Sequence, residues 1–415
     1  MKQNYLKMLI WQLIAIIALM SCSSNEEPLV TMTQNSKTRG LDNIESTYSI
    51  HQAIQIANKK LQKKAADALK AKTTVLLATD SDCISNLLSD TVAYIINYTN
   101  NGGFAIIGND NRLENPILAY NEEGNFSQEN ILAKAFFLKN IEKYLASFNI
   151  KKNSNVKESK NIEPAPTRRL IVEPQITIEL SPFSPFNDKI AKEHPECCAG
   201  FINVSAANII SHSFKKLVYH NNLYDFESIN YALNQGPGFN PINPGGITTM
   251  GISDNFPSTF IYSYEGSVTA FTQLLYDISK DSGTFYGEGT TITMPSGIER
   301  VYRNLGLTVT ESNTKRDINE ITSLLYNGYF VNVFLIGRMV EGGIIDIDFL
   351  IGPQGYVIDG CNVLIGNDKK IVSGEVHVVW GLGGFADGYY AYPVLLYDDV
   401  REMVELSHIG VKGSN

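Results

Sequence analysis

The sequence predicts an α+β protein of two modules in series. Three observations lead to this. A helical pattern, then short β-patterned segments and turns, fills residues 49–124. A stretch without hydrophobic periodicity, Lys151–Arg169 (KKNSNVKESKNIEPAPTRR), interrupts the chain. Beyond it, helical patterns come first and strand-like ones last, an α+β layout and not an alternation of βαβ units.

In the first module, Ser49–Leu61 (SIHQAIQIANKKL) has Ile50, Ala53, Ile54, Ile56 and Ala57 at helical spacing. Ser49 suits the N-cap, and Gln52 three residues on completes a capping box. Val92–Tyr98 and Phe104–Ile107 read as a hairpin around Asn100-Asn101-Gly102-Gly103. Ile117–Tyr120 is a third strand, and Ile131–Ala146 an amphipathic helix. In the second module, helices are expected at Asn203–Leu217 and Phe271–Ile278, on either side of a Gly/Pro-rich region at 236–251. Strands are expected at Tyr329–Ile336, Tyr356–Ile358, His377–Trp380 and Tyr389–Leu396.

The chain opens with a targeting signal. Lys2 and Lys7 precede an apolar run, Met8–Met20, that is short for a membrane span. Leu19-Met20-Ser21-Cys22 resembles a bacterial lipobox, which makes Cys22 the expected lipidation site and the membrane contact. The polar, acidic Ser23–Glu27 resembles the sorting stretch of surface-exposed lipoproteins, so the expected location is the outer membrane or cell surface of a Gram-negative bacterium. The organisation is therefore 1–22 signal peptide, 23–45 tether, 46–150 first module, 151–169 linker and 170–410 second module.

Of 415 residues, 44% are hydrophobic, enough for a sizeable core. The net charge of -9 offers no basic surface for nucleic acid. Cys83, Cys197, Cys198 and Cys361 are too few for a disulfide scaffold in so long a chain. His194 with Cys197 and Cys198 lacks zinc-motif spacing, and no metal or cofactor is expected. The glycines of 381–388 lack the strand-to-helix context of a dinucleotide site and read as a tight turn.

The hairpin Tyr94–Asn97 and Gly102–Ile107, with Asp110, Arg112-Leu113, Ile117–Tyr120 and Gly124, resembles the inhibitory prodomain (Spi type) of streptopain-family cysteine peptidases. The second module is similar to that family in motif order. It runs through Pro185-Phe186-Asn187, Ala199–Ile209, Tyr224-Asp225-Phe226, Leu274–Lys280, Tyr286-Gly287, Val357–Gly360, His377–Gly384 and Asp387–Tyr390. The resemblance spans about residues 45–400 and implies a papain-like, two-lobed peptidase fold behind its prodomain.

Such a peptidase needs a thiolate at a helix N-terminus, a histidine base, a polar group to orient that base and donors for the oxyanion. Mapped by the resemblance, the nucleophile position after Gly200 holds Phe201. The histidine position, five residues before Asp359, holds Gln354, and the asparagine position before Trp380 holds Val379. The oxyanion glutamine falls near Ser181-Pro182. Gly200, Asp359, Trp380 and Gly383 are the flanking residues expected to line the cleft. Three readings follow. The first is a non-catalytic pseudopeptidase binding a peptide or protein. The second is an active cysteine peptidase using Cys198, with His194, His212 or His377 as base. The third is an inhibitor of related peptidases acting through the first module.

Overall fold

The computed structural model describes residues 47–63, 71–78, 87, 89–111, 113, 115–126, 132–152, 168–238, 262–287, 290–311, 317–337, 354–384, 386–396 and 404–413. The expected signal peptide with Cys22, Cys83, most of the linker and most of the Gly/Pro-rich region lie outside them.

Helix α1 (Ile50–Lys60) starts where the sequence predicts. Gln52 N donates to Ser49 Oγ at 3.3 Å, and Ser49 N donates to Gln52 Oε1 at 2.8 Å, closing the capping box. A strand the sequence reading missed, β1 (Lys72–Leu77), pairs antiparallel with β2 (Thr91–Asn97). Strands β2 and β3 (Phe104–Gly108) form the expected hairpin; its turn takes Asn100 and Asn101 to φ 58° and 53°, and Gly103 to 96°. These left-handed values suit Asn and Gly. Strand β4 (Ile117–Asn121) completes the meander.

Strand β2 is buried on both faces. Tyr94 and Ile96 pack under α1, while Ala93 and Ile95 face a second core. Helix α2 (Leu132–Lys152) covers that second face with Phe137, Ile141 and Leu145. It is longer than expected and not a one-faced helix, because Asn140, Glu142 and Lys143 are buried as well. The cause is its position: it touches β2 on one side and strands and helices of the second module on the other.

In the second module β5 (Arg168–Val172) already belongs to the sheet, so Arg168 and Arg169 are strand rather than linker. Helices α3 (Asp188–Glu193) and α4 (Phe201–Ser213) follow. The predicted helix over 203–217 ends early because Lys216 starts β6 (Lys216–Tyr219). That strand hairpins onto β7 (Asn222–Asp225) through His220 and Asn221, both at positive φ. Helices α5 (Phe226–Gln235) and α6 (Tyr264–Ser282), hairpin β8 (Phe285–Gly287) and β9 (Thr290–Ile292), and α7 (Pro295–Asn304) complete the helical side.

The rest is β10 (Thr308–Val309), α8 (Ile318–Tyr326), β11 (Phe330–Gly337), β12 (Gln354–Ile365), β13 (Ile371–Val379), β14 (Gly388–Ala391), α9 (Tyr392–Leu395) and β15 (Val404–Lys412). The expected strand 389–396 therefore breaks at Tyr392. Pro393 lacks an N–H and fits the first turn of α9.

One sheet crosses both modules in the order β1-β2-β3-β4-β14-β13-β12-β11-β15-β10. On one face Val357, Val379, Phe330 and Phe334 pack under α4, α6 and α7. On the other, Tyr356, Ile358, Val376, Val378 and Tyr390 share a core with Ile95, Phe104, Phe137 and Ile141 of the first module. Helices gathered on a largely antiparallel sheet make the protein α+β, as predicted.

Candidate functional site

Helix α4 starts sharply. Gly200, its N-cap, sits at φ 85°, and a Cβ there would lie 2.9 Å from Thr291 Cγ2. Residues Ile202–Ser211 are all buried, so the helix is a central strut with a fixed N-terminus. Its first residue is Phe201. Ile202 and Val204 join the helical core, whereas Phe201 packs against the sheet-side core. It therefore stands where the two cores meet. Phe183, 44% exposed, meets it edge-on with ring centroids 6.4 Å apart. The sequence reading did not single out Phe183, which carries no motif.

The other two mapped positions lie beside this helix. Gln354 is buried and opens β12, paired with Leu335. Its neighbour Gly355 takes the helix at close range: a Cβ there would be 3.1 Å from Ile202 Cγ1 and 3.1 Å from Ser205 Oγ. Val379 ends β13, is 3% exposed and pairs with Val357. Gly381, just beyond, abuts Val204 with room for no side chain: a Cβ would approach Val204 Cγ1 to 2.8 Å. The structure thus gathers the positions of Phe201, Gln354 and Val379 around the first turns of α4.

The loops in front are tied down by backbone groups. Ala199 N donates to Pro182 O at 2.7 Å, Phe183 N to Ser181 Oγ at 3.2 Å, and Gly383 N to Leu180 O at 2.8 Å. The glycine turn takes Gly381, Gly383 and Gly384 to φ 69°, 66° and 76°, as a tight turn requires. Gly383 is half-buried, and a Cβ there would lie 3.8 Å from Ser181 Cβ.

The first module lies on this turn. Ala386 N donates to Asn125 O at 2.9 Å, Asn121 Nδ2 to Asp387 O at 2.7 Å, and Gly124 abuts the carbonyl of Gly384. Glu179 sits under Gly384, its carboxyl held above the usual range by burial and then by the charge of Glu123.

Two residues expected to line the cleft do not. Asp359 has no exposed surface; its Oδ2 accepts from Gln175 N at 2.9 Å and Ile176 N at 2.8 Å, and its Oδ1 holds His377. Trp380, 2% exposed, is enclosed by Tyr356 and Tyr390, and its Nε1 donates to Tyr390 Oη at 2.8 Å. A β-bulge at Ile358/Gly360 turns Asp359 inward, and Tyr356 and Tyr390 of the same module close over Trp380.

Cys198 is buried beside the β8–β9 hairpin, not at the helix N-terminus. Its carbonyl accepts from Thr291 Oγ1 at 2.8 Å, and its Sγ lies 3.8 Å from the same hydroxyl. Cys197 Sγ donates to Gly287 O at 3.0 Å. His194 stacks on Tyr286, and His377 holds Asp359. His212, in the last turn of α4, accepts from Thr177 N, and burial lowers its pKa. Among the described residues no three His, Cys, Asp or Glu side chains are grouped to hold a metal, and no helix is long and apolar enough to cross a membrane.

Residues 43–145 match the family model of the Spi protease inhibitor, which covers the first module and supports the resemblance to streptopain-type peptidases. Among solved structures, a fragment (39–359) of prointerpain A from Prevotella intermedia, a cysteine-to-alanine mutant, is similar at 17% identity. The alignment covers 83% of this chain and 100% of that one, with a TM-score of 0.47. No curated protein matches the chain.

Proposed function

We propose that this chain is a non-catalytic, lipid-anchored relative of streptopain-type peptidases that acts by binding a peptide or protein. The observation that carries the reading is Phe201 as the first residue of α4, a helix whose next residue, Ile202, lies against Gly355. A helix N-terminus activates a thiol by favouring its thiolate, and phenylalanine has nothing to ionise. Gln354 cannot take a proton near neutral pH, and Val379 cannot orient a base. Phe183 and Phe201 give the same place an apolar surface suited to a peptide side chain.

The test is hydrolysis of a fluorogenic protein substrate by the full chain, with and without iodoacetamide. No hydrolysis by a folded chain supports the reading. Hydrolysis abolished by the thiol blocker sinks it and points to Cys198.

The Spi match favours a second reading, inhibition of a peptidase in trans. Strand β4 already pairs with β14 of the same chain, so a partner has to compete with an intramolecular contact. Inhibition of an active streptopain-type peptidase by the full chain would support this second reading, and no inhibition would leave the first.

The membrane link in this proposal is Cys22, from the apolar run and lipobox-like segment before it. Cys22→Ala should move the protein from the membrane to the soluble fraction; retention at the membrane rules out the anchor.

A further inference from the structure

Glu375 lies on β13 of the second module, 8% exposed, and its Oε1 gathers three donors. Lys60 Nζ of α1 reaches it at 3.3 Å, Tyr120 Oη of β4 at 2.7 Å, and Asn362 Nδ2 of β12 at 3.0 Å. Two of the three come from the first module. The Tyr120 ring is held between Lys60 Nζ, 3.9 Å from its centroid, and the Tyr389 ring, stacked 5.4 Å away. Arg169 Nε extends the chain of contacts to Asn362 Oδ1 at 2.8 Å.

The cluster sits beside a seam that is not a loose domain contact. Tyr389 and Tyr390 of β14 pair with Tyr120 and Ala119 of β4, so parting the modules would bare a strand edge on each. It would also open one continuous core, in which Phe137 meets Tyr390 edge-on at 4.8 Å. A buried carboxylate with donors on both sides of a seam favours that pairing alone, because separation leaves it without two of its partners.

We infer that the face of the second module formed by β14, Tyr389 and Glu375 is a permanent binding surface for the first module of this same chain, helix α2 included, which stays bound after the linker is cut. The Spi-type module is then a retained subunit and not a segment shed on processing. The inference is independent of lost catalysis, since it concerns association and not hydrolysis.

The experiment uses the full chain with one recognition site for a site-specific protease placed within residues 153–167. After complete cleavage, the fragments are run on a sizing column at about 1 μM, where a complex with Kd of about 1 nM stays intact. Co-elution as a single species is expected. Elution of the first fragment apart from the second, or precipitation of either half after cleavage, overturns the inference.

Lys60→Met and Glu375→Gln assign the latch. Glutamine keeps an oxygen for Tyr120 and Asn362 but loses the ion pair, so both variants should speed dissociation alike, by about tenfold. Raised salt should speed release of the parent pair and leave Lys60→Met nearly unchanged. Equal salt response in parent and variant would remove Lys60–Glu375 from the account.

Discussion

His377 Nδ1 lies 2.6 Å from Oδ1 of Asp359, a carboxylate with no exposed surface. The other oxygen of Asp359 accepts from the backbone of Gln175 and Ile176, fastening the segment after β5 to the bulge in β12. His377 is thus a partner of a structural carboxylate and not a base facing Cys198. Asp359→Ala would leave the buried Ile176 N–H, the Gln175 N–H and an imidazole without their acceptor. We expect a loss of about 3 kcal/mol or more in urea unfolding. An unchanged midpoint would show that the carboxylate does not hold this segment.

Asp387 carries a pH dependence. Burial pushes its carboxyl up to about 7, with Asp359 and Glu179 adding to the rise and the Trp380 N–H and His377 opposing it. The folded chain keeps a proton that the unfolded chain, with an ordinary carboxyl, has released. Stability therefore falls as pH rises between about 4 and about 7. Asp387→Asn keeps an oxygen for Trp380 N, now 2.7 Å away, and cannot ionise. Part of Asp387 reaches solvent, which limits the effect to about 1–2 kcal/mol. The variant should match the parent at pH 4 and exceed it at pH 8; a constant offset across pH would refute the assignment.

Phe201 supplies a third test. Phe201→Cys places a thiol on the first residue of α4, where the helix dipole favours the thiolate. Cys197, Cys198 and Cys361 are buried, and burial pushes Cys361 up to about 11. The new thiol should be alkylated by iodoacetamide at pH 7 at least about tenfold faster than these. It should still hydrolyse no peptide, because Gln354 and Val379 remain. Fast alkylation of Cys198 in the parent would instead revive it as a nucleophile.

Much of this architecture is legible in the sequence because local chemistry fixes it. The Ser49–Gln52 capping box and the Asn-Asn-Gly-Gly turn each need only neighbours in the chain. The misses are tertiary. Helix α2 runs beyond the expected end at Ala146, and the polar residues Asn140, Glu142 and Lys143, which read as solvent-facing, are buried in a helix that also touches the second module. Asp359 and Trp380 read as cleft walls because motif order locates residues but not the face they present; a one-residue bulge turns the first inward, and Tyr356 and Tyr390 enclose the second. Glu375 carried a signal, a charge in a run of strand residues, but its partners are 315 and 255 residues away.

The contact between α4 and β12 rests on Gly355, and this can be tested by filling it. A Cβ on Gly355 would lie 3.1 Å from Ile202 Cγ1, 3.1 Å from Ser205 Oγ and 3.2 Å from Ile202 Cα. One of these is backbone, and Ser205 Oγ is fixed by its 2.8 Å bond to Ile202 O, so the helix cannot yield by rotating a side chain. Gly355→Ala should cost about 1 kcal/mol and Gly355→Val about 2–3 kcal/mol, since overpacking moves backbone. The displacement would shift Phe201, the first residue of the same helix. Trp380, next to Tyr356 and one of two tryptophans in the chain with Trp11, should report it as a fluorescence change in the folded state. A valine variant with parental stability and parental emission would mean that the helix does not bear on this strand, and that the three mapped positions are not held together as described.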